Sequence, residues 1–180
     1  TRYIIYNPEQ QPLRNPYAFG NAWFVDKLDI VENADAEIEA LNTINPLVTA
    51  VVDKRFQKDL EGFVPQKDST ATIVLEEYRP NRLTYKSKAD KEQLAVFSEV
   101  YYQPGWTATI DGKEVPHFRA DWILRGMRVP AGEHTIVFDF RPQGYVTAAY
   151  VASYSSFLIL LLLIAAVGWS GWQYWKKNKE

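Results

Sequence analysis

Apolar and polar positions alternate over much of this chain, and the alternation predicts strands. Trp23 and Val25 face one way and Phe24 and Asp26 the other, so residues 21–31 are expected to form one strand. Further strands are expected at 3–6, 47–52, 71–78, 82–87, 94–102, 106–110, 122–129 and 134–140. Within 82–87, Leu83 and Tyr85 oppose Arg82, Thr84 and Lys86. Residues 94–102 are apolar on both faces, which places that strand in the middle of a sandwich. Asp111-Gly112 is a strong hairpin signal, because a type I′ turn needs positive φ at both central residues. Gly126 is expected to mark a bulge. The one helical signal in this part is Asn33 as N-cap of a short helix at 34–41, with Asp35 and Glu37 in its first turn, where carboxylates favour the helix dipole. The polar stretch 53–69 reads as loop. Short strands punctuated by turn residues predict a mainly β fold, a β-sandwich of jelly-roll or immunoglobulin-like type with a short helix.

The pattern changes at residues 145–175. Between Arg141 and Lys176 there is no Asp, Glu, Lys or Arg. A bilayer core of about 30 Å needs about 20 apolar helical residues, and this run exceeds that. Tyr145, Tyr150 and Tyr154 flank one side, and Trp169, Trp172, Tyr174 and Trp175 the other, as expected for rings at headgroup level. One transmembrane helix is therefore expected, with the lipid bilayer as its partner. Lys176, Lys177 and Lys179 follow the span and Arg141 alone precedes it closely, which predicts a cytoplasmic C-terminus and an extracytoplasmic globular part in a bacterial inner membrane. The expected division is 1–142 for the β-domain, 143–175 for the span and 176–180 for a basic tail. Thr1-Arg-Tyr-Ile-Ile-Tyr6 has none of the features of a signal peptide, so the chain is expected to be the C-terminal piece of a longer membrane protein, or a mature chain whose leader was removed.

Composition narrows the chemistry. The chain has no Cys, which removes thiolate metal sites, cysteine nucleophiles and disulfides. A net charge of −2 offers no basic stripe, so nucleic acid is not an expected partner. His117 and His134 lie in separate contexts without metal-ligand spacing, and each is expected to be a surface or core histidine. The paired carboxylates Glu76 with Glu77 and Asp111 with Glu114 are not placed for shifted pKa values. Phosphate-loop, nucleophile-elbow and zinc-protease motifs are missing. No residue is assigned a catalytic or metal-binding role, and no cofactor is expected. The candidates for ligand contact are Tyr101, Tyr102, Trp106, Trp122 and Arg125. Tyr and Trp rings stack on sugar faces, and Arg bonds hydroxyls or lipid phosphates. The alternative for Trp106 and Trp122 is burial in the sandwich core.

Tyr101-Tyr-Gln-Pro-Gly-Trp-Thr-Ala-Thr-Ile-Asp-Gly-Lys-Glu-Val115, Arg119-Ala-Asp-Trp-Ile-Leu-Arg125 and Val129-Pro-Ala-Gly-Glu-His-Thr-Ile-Val-Phe138 resemble the C-terminal part of YfhO-type bacterial membrane proteins. Asn21-Ala-Trp-Phe-Val25 and Asn33-Ala-Asp-Ala-Glu-Ile-Glu39 are similar to the Bacteroidetes members. The resemblance implies a polytopic parent with many upstream helices, an extracytoplasmic β-rich domain and a last helix returning to the cytoplasm. It also implies likeness to GT-C glycosyltransferases, which transfer sugar from a polyprenyl-phosphate carrier to envelope polymers. Their catalytic carboxylate lies in an early external loop, and no position here inherits it. The expectation is a non-catalytic C-terminal domain supporting such transfer, with upstream transmembrane helices and a glycan or polyprenyl-phosphate sugar as partners. The alternatives are a membrane-anchored glycan- or protein-binding module, or a purely structural domain.

Overall fold

The computed structural model describes residues 3–178, and the chain divides into two compact units, Thr1–Phe140 and Arg141–Glu180. The expected tail residues Lys179 and Glu180 lie outside the described residues.

The first unit begins with a small pair, β1 (Tyr3–Ile4) antiparallel to β2 (Leu13–Arg14). The single strand expected at 21–31 is two strands, β3 (Ala22–Val25) and β4 (Lys27–Val31), in different sheets. The break falls at Asp26: the backbone N–H groups of Asp26 and Lys27 both donate to the Val48 carbonyl, and the chain leaves one sheet for the other. Helix α1 (Ala34–Ala40) follows, capped as expected by the Asn33 side chain, which accepts from Ala36 N at 2.9 Å. Strand β5 (Thr49–Asp53) is buried throughout and pairs in parallel with β4. The stretch expected as loop then opens with a 3-10 helix, Lys54–Leu60, whose N-cap Asp53 accepts from Arg55 N. Its alternation was hidden because a three-residue period in seven residues leaves only Leu60 fully inside.

Strands β6 (Thr72–Arg79), β7 (Arg82–Ala89), β8 (Gln93–Val100), β9 (Trp106–Ile110), β10 (Lys113–Val115), β11 (Phe118–Ala120), β12 (Leu124–Val129) and β13 (Gly132–Phe140) complete the unit. They form a five-stranded sheet, β10-β9-β13-β7-β6, and a four-stranded sheet, β11-β12-β8-β3. Strands β10 and β11 are three residues each, too short for alternation to reveal. Asp111 and Gly112 have φ of 51° and 80°, as a type I′ turn between β9 and β10 requires. The strand expected from 122 starts instead at Leu124, because Asp121 and Trp122 both take positive φ in a turn. Gly126 is not the bulge. The register shift lies between Leu124 and Arg125, and Gly126 is buried where a Cβ would stand 2.5 Å from Phe118 Cε2.

The two sheets enclose one interior of Leu83, Tyr85, Phe97, Met127, Ile136, Phe138 and their smaller neighbours. The other face of the four-stranded sheet carries a second interior, where Trp23, Val25, Leu94, Val96 and Phe118 meet Ala50, Val52 and Leu60. Strand β8 serves both: Ala95 and Phe97 face the five-stranded sheet, Leu94 and Val96 the outer layer, and all four are fully buried. Its two apolar faces thus place it in the middle of three layers. Each large side chain so buried contributes about 1.5–3 kcal/mol.

The second unit is one helix, α2 (Gln143–Lys177), of 35 residues. At 1.5 Å per residue it is about 52 Å long, more than the ~30 Å core of a bilayer. None of its described side chains is buried and all but the half-exposed Val146 are exposed, so its apolar surface stands uncovered among the described residues. Ser153, Ser155 and Ser156 hydroxyls each donate to the carbonyl four residues back, at 2.8–2.9 Å, which satisfies them without water.

Candidate functional site

The five candidate residues collect at one end of the sandwich. Strand β8 stops at Val100, and the six residues after it reach β9 in the facing sheet at Trp106. Strand β12 starts beside Val100, with which Leu124 pairs, and β13 ends beside Trp106, with which Phe140 pairs. The opposite end is closed by Pro130-Ala131 between β12 and β13.

Three of the five are packed inward. Arg125 is only 2% exposed; its Nε donates to the Val100 carbonyl at 3.0 Å, and its guanidinium lies 4.1 Å from the Trp106 ring centre and 5.2 Å from that of Phe138. Burial pulls its pKa down, an effect opposed by Glu99. The Trp106 ring is itself 5.1 Å from Phe140. Tyr101 donates its backbone N–H to the Ile123 carbonyl at 2.7 Å and sets its ring edge-on to Phe56 and His117, each at 5.6 Å; burial raises its pKa. The remaining two point outward: Tyr102 is 53% exposed and Trp122 is 41% exposed.

Beneath Trp122 is a charged cluster that local sequence does not signal. Glu37 is fully buried; one carboxylate oxygen accepts from Arg119 Nη2 at 2.5 Å and the other from Trp122 N at 2.9 Å. Its position in the first turn of α1 is as expected, but its partners lie more than 80 residues on. Asp53 joins through Arg55 at 2.7 Å and Arg119 at 3.5 Å, and the hydrogen bond from Arg55 holds its carboxyl below the usual range. Asp121 Oδ1 accepts from Val51 N at 2.9 Å and its own N–H donates to Val51 O at 2.8 Å. Its Oδ2 is buried without a partner, and burial, with the negative charge of Glu37, pushes its pKa up to about 6. These contacts clamp a turn in which Asp121 has φ 49° and Trp122 φ 70°, closed by Ile123 N donating to Asp121 O at 2.8 Å. Positive φ is strained for a bulky residue such as Trp.

The histidines also have defined settings. His134 Nδ1 lies 2.6 Å from Asp111 Oδ2, so the hairpin carboxylate expected to be unshifted is lowered by His134, and the histidine is raised in turn. His117 is half-buried against Phe138, and burial lowers its pKa to about 4. Among the described residues no three His, Cys, Asp or Glu are grouped to hold a metal. An open hollow of about 990 Å³ lies at the aromatic end, bounded by Arg14, Tyr17, Phe19, Trp23, Ser98 and Leu124. Its size falls in the range of small-molecule sites, and its lining mixes apolar and polar atoms.

A mainly β domain followed, two residues after its last strand, by an unburied apolar helix of bilayer-crossing length defines a membrane protein with an appended β-domain. The model of the family described as bacterial membrane protein YfhO matches residues 45–152, from just before β5 into α2. The chain belongs to that family. No curated protein and no solved structure matches it significantly.

Proposed function

We propose that this chain is the non-catalytic extracytoplasmic domain and last membrane span of a polytopic YfhO-family protein, and that it supports transfer of sugar from a polyprenyl-phosphate carrier to envelope polymers. The observation that carries the reading is the joining of a family-matched β-domain to α2, a helix long and apolar enough to cross a bilayer and not buried by the rest of the described chain. Lys176 and Lys177 beyond the span, against Arg141 before it, favour a cytoplasmic C-terminus. Outward Tyr102 and Trp122, with the hollow beside Leu124, supply a face on which a glycan can stack.

The test is sugar transfer by the full-length protein. Tyr102→Ala and Trp122→Ala are expected to lower transfer at unchanged protein abundance. Activity that falls only in step with abundance would overturn a supporting role in transfer. It would favour the second reading, a purely structural domain, to which the commitment of Arg125 and Trp106 to packing already lends weight. Orientation is tested separately with Lys113→Cys in the full-length protein after any cysteine outside this chain is replaced by serine: an impermeant maleimide should label it in spheroplasts, and labelling only after lysis would reverse the topology.

A further inference from the structure

The two ends of the β-domain expose different chemistry. Where β13 finishes, Val100, Tyr102, Trp122 and Ile123 are all exposed. They adjoin because Leu124 pairs with Val100 and Tyr101 N donates to Ile123 O. Tyr78 is exposed at the same end, next to the β6–β7 turn, where Phe140 N donates to Asn81 O at 2.9 Å. The opposite end carries the turns Asp90-Lys91-Glu92, Asp111-Gly112 and Pro130-Ala131 and the loop bonded to it through Gln66 and Asp68. Charged and small residues there outnumber the exposed Val64, and none of its described aromatic side chains is exposed. Apolar side chains gathered on one face, with none of the domain's own elements over them, mark a contact surface.

Two further observations say what that contact is. The Asp121-Trp122 turn holds a Trp in a strained left-handed conformation, and the buried Glu37 carboxylate fixes it there, with Trp122 and Ile123 41% and 43% exposed. The chain also leaves the domain at this end: only Arg141 and Pro142 stand between Phe140 and the apolar helix. Two residues span at most about 3.3–3.6 Å each. We infer that the end of the β-domain bearing Trp122, Ile123 and Tyr102 is a lipid-docking surface, seated in the headgroup layer of the bilayer that α2 crosses. Trp and Tyr are the side chains that favour this layer, with the ring sheltered and the polar edge wet. The nearby arginines Arg79 and Arg82 are ion-paired with Glu77 and Asp139, so the contact is apolar and does not require anionic lipid. This inference rests on α2 crossing a membrane, and it assigns to lipid the Tyr102 and Trp122 side chains offered above to a glycan.

This chain holds no cysteine, so once any cysteine elsewhere in the full-length protein is replaced by serine each labelled position is single. Ile123→Cys, Tyr102→Cys and Lys113→Cys are each labelled with an environment-sensitive fluorophore, and the full protein is reconstituted into phosphatidylcholine vesicles carrying nitroxide quenchers near the headgroup. A label at Leu161→Cys, quenched by deep nitroxides, verifies insertion of α2. Labels at 123 and 102 should shift to the blue and lose fluorescence to the shallow quencher, while 113 keeps both its emission maximum and its intensity. Equal quenching at 113, or none at 123 and 102 with 161 quenched, would overturn the inference. A blue shift at 123 and 102 that lipid nitroxides leave untouched would mean that protein covers this end, and would overturn lipid as the occupant. Failure of docking with transfer intact would leave the proposed function standing.

Discussion

Arg119 and Glu37, 82 positions apart in the chain, meet at 2.5 Å with the Glu37 carboxylate wholly buried. The contact ties α1 to β11, and the second Glu37 oxygen takes the N–H of Trp122. Removing one partner of a buried ion pair leaves the other charge without compensation and costs about 3–5 kcal/mol. Glu37→Ala leaves Trp122 N without its acceptor and leaves Arg119 with Asp53, at 3.5 Å, as its remaining carboxylate. It should therefore destabilise the protein toward the low end of that range, about 3 kcal/mol, in denaturant unfolding of the detergent-solubilised chain. Glu37→Gln, which keeps an acceptor for Trp122 N, should lose less, and Arg119→Met added to Glu37→Ala should restore part of the loss.

Asp121 makes the stability of the fold depend on pH. Its carboxyl titrates at about 6 in the fold against 3.8 for the free group. Between those values the folded state holds a proton that the unfolded state has released, so this group's contribution to stability falls as pH rises from about 4 to 6. Asp121→Asn keeps an acceptor for Val51 N and tolerates the left-handed φ. It is expected to raise the melting temperature at pH 8, to have little effect at pH 4, and to flatten the slope between.

His134 and Asp111 stabilise the hairpin together within a bounded pH window. Asp111 is lowered, so its share is present above about 3.8 and is lost as pH falls through the folded value. His134 is raised, so its share is present below about 6.5 and is lost as pH rises through the folded value. The pair works best between those limits, and His134→Gln should remove the decline in stability above them. His117 runs the other way: with a folded pKa of about 4, it stays neutral while the unfolded chain takes up a proton, so stability drops as pH falls from 6.5 to about 4. Thermal melts across pH 3–9 on the single variants separate the two.

Gly126 has no strained φ, so its requirement is one of space alone. Its missing Cβ would meet Phe118 Cε2 at 2.5 Å and Ala120 Cβ at 3.1 Å. Gly126→Ala should cost about 1–3 kcal/mol as overpacking. Phe118→Leu in the same chain should recover part of that, measured as a shift in the unfolding midpoint.

What the sequence made legible was what local pattern controls. The Asn33 cap, the Asp111-Gly112 turn, the alternation through Leu83 and Tyr85, and the apolar span each depend on neighbours a few residues away. Elements set by distant partners were not legible. Asp26 breaks a strand because Val48 accepts two N–H groups there, and the Asp121-Trp122 turn exists because Val51 and Glu37 hold it. The aromatic and arginine cluster was visible as composition. Which of its members face inward was not, since Arg125 has the polarity of a surface residue and is buried by rings contributed from other strands. Nor did pattern show the outer layer, which reuses the second face of a strand already counted as core.

Strand β8 belongs to two interiors at once, so loss of either layer uncovers one of its apolar faces. A substitution such as Val96→Ala, made for the outer layer, also loosens the hold of Phe97 on the far side through their shared backbone. The amides of β8 should therefore be the slowest in the domain to exchange with deuterium, opening only when the whole domain unfolds. Shedding of the outer layer alone would bare Leu94 and Val96 to water, which couples its loss to unfolding of the sandwich.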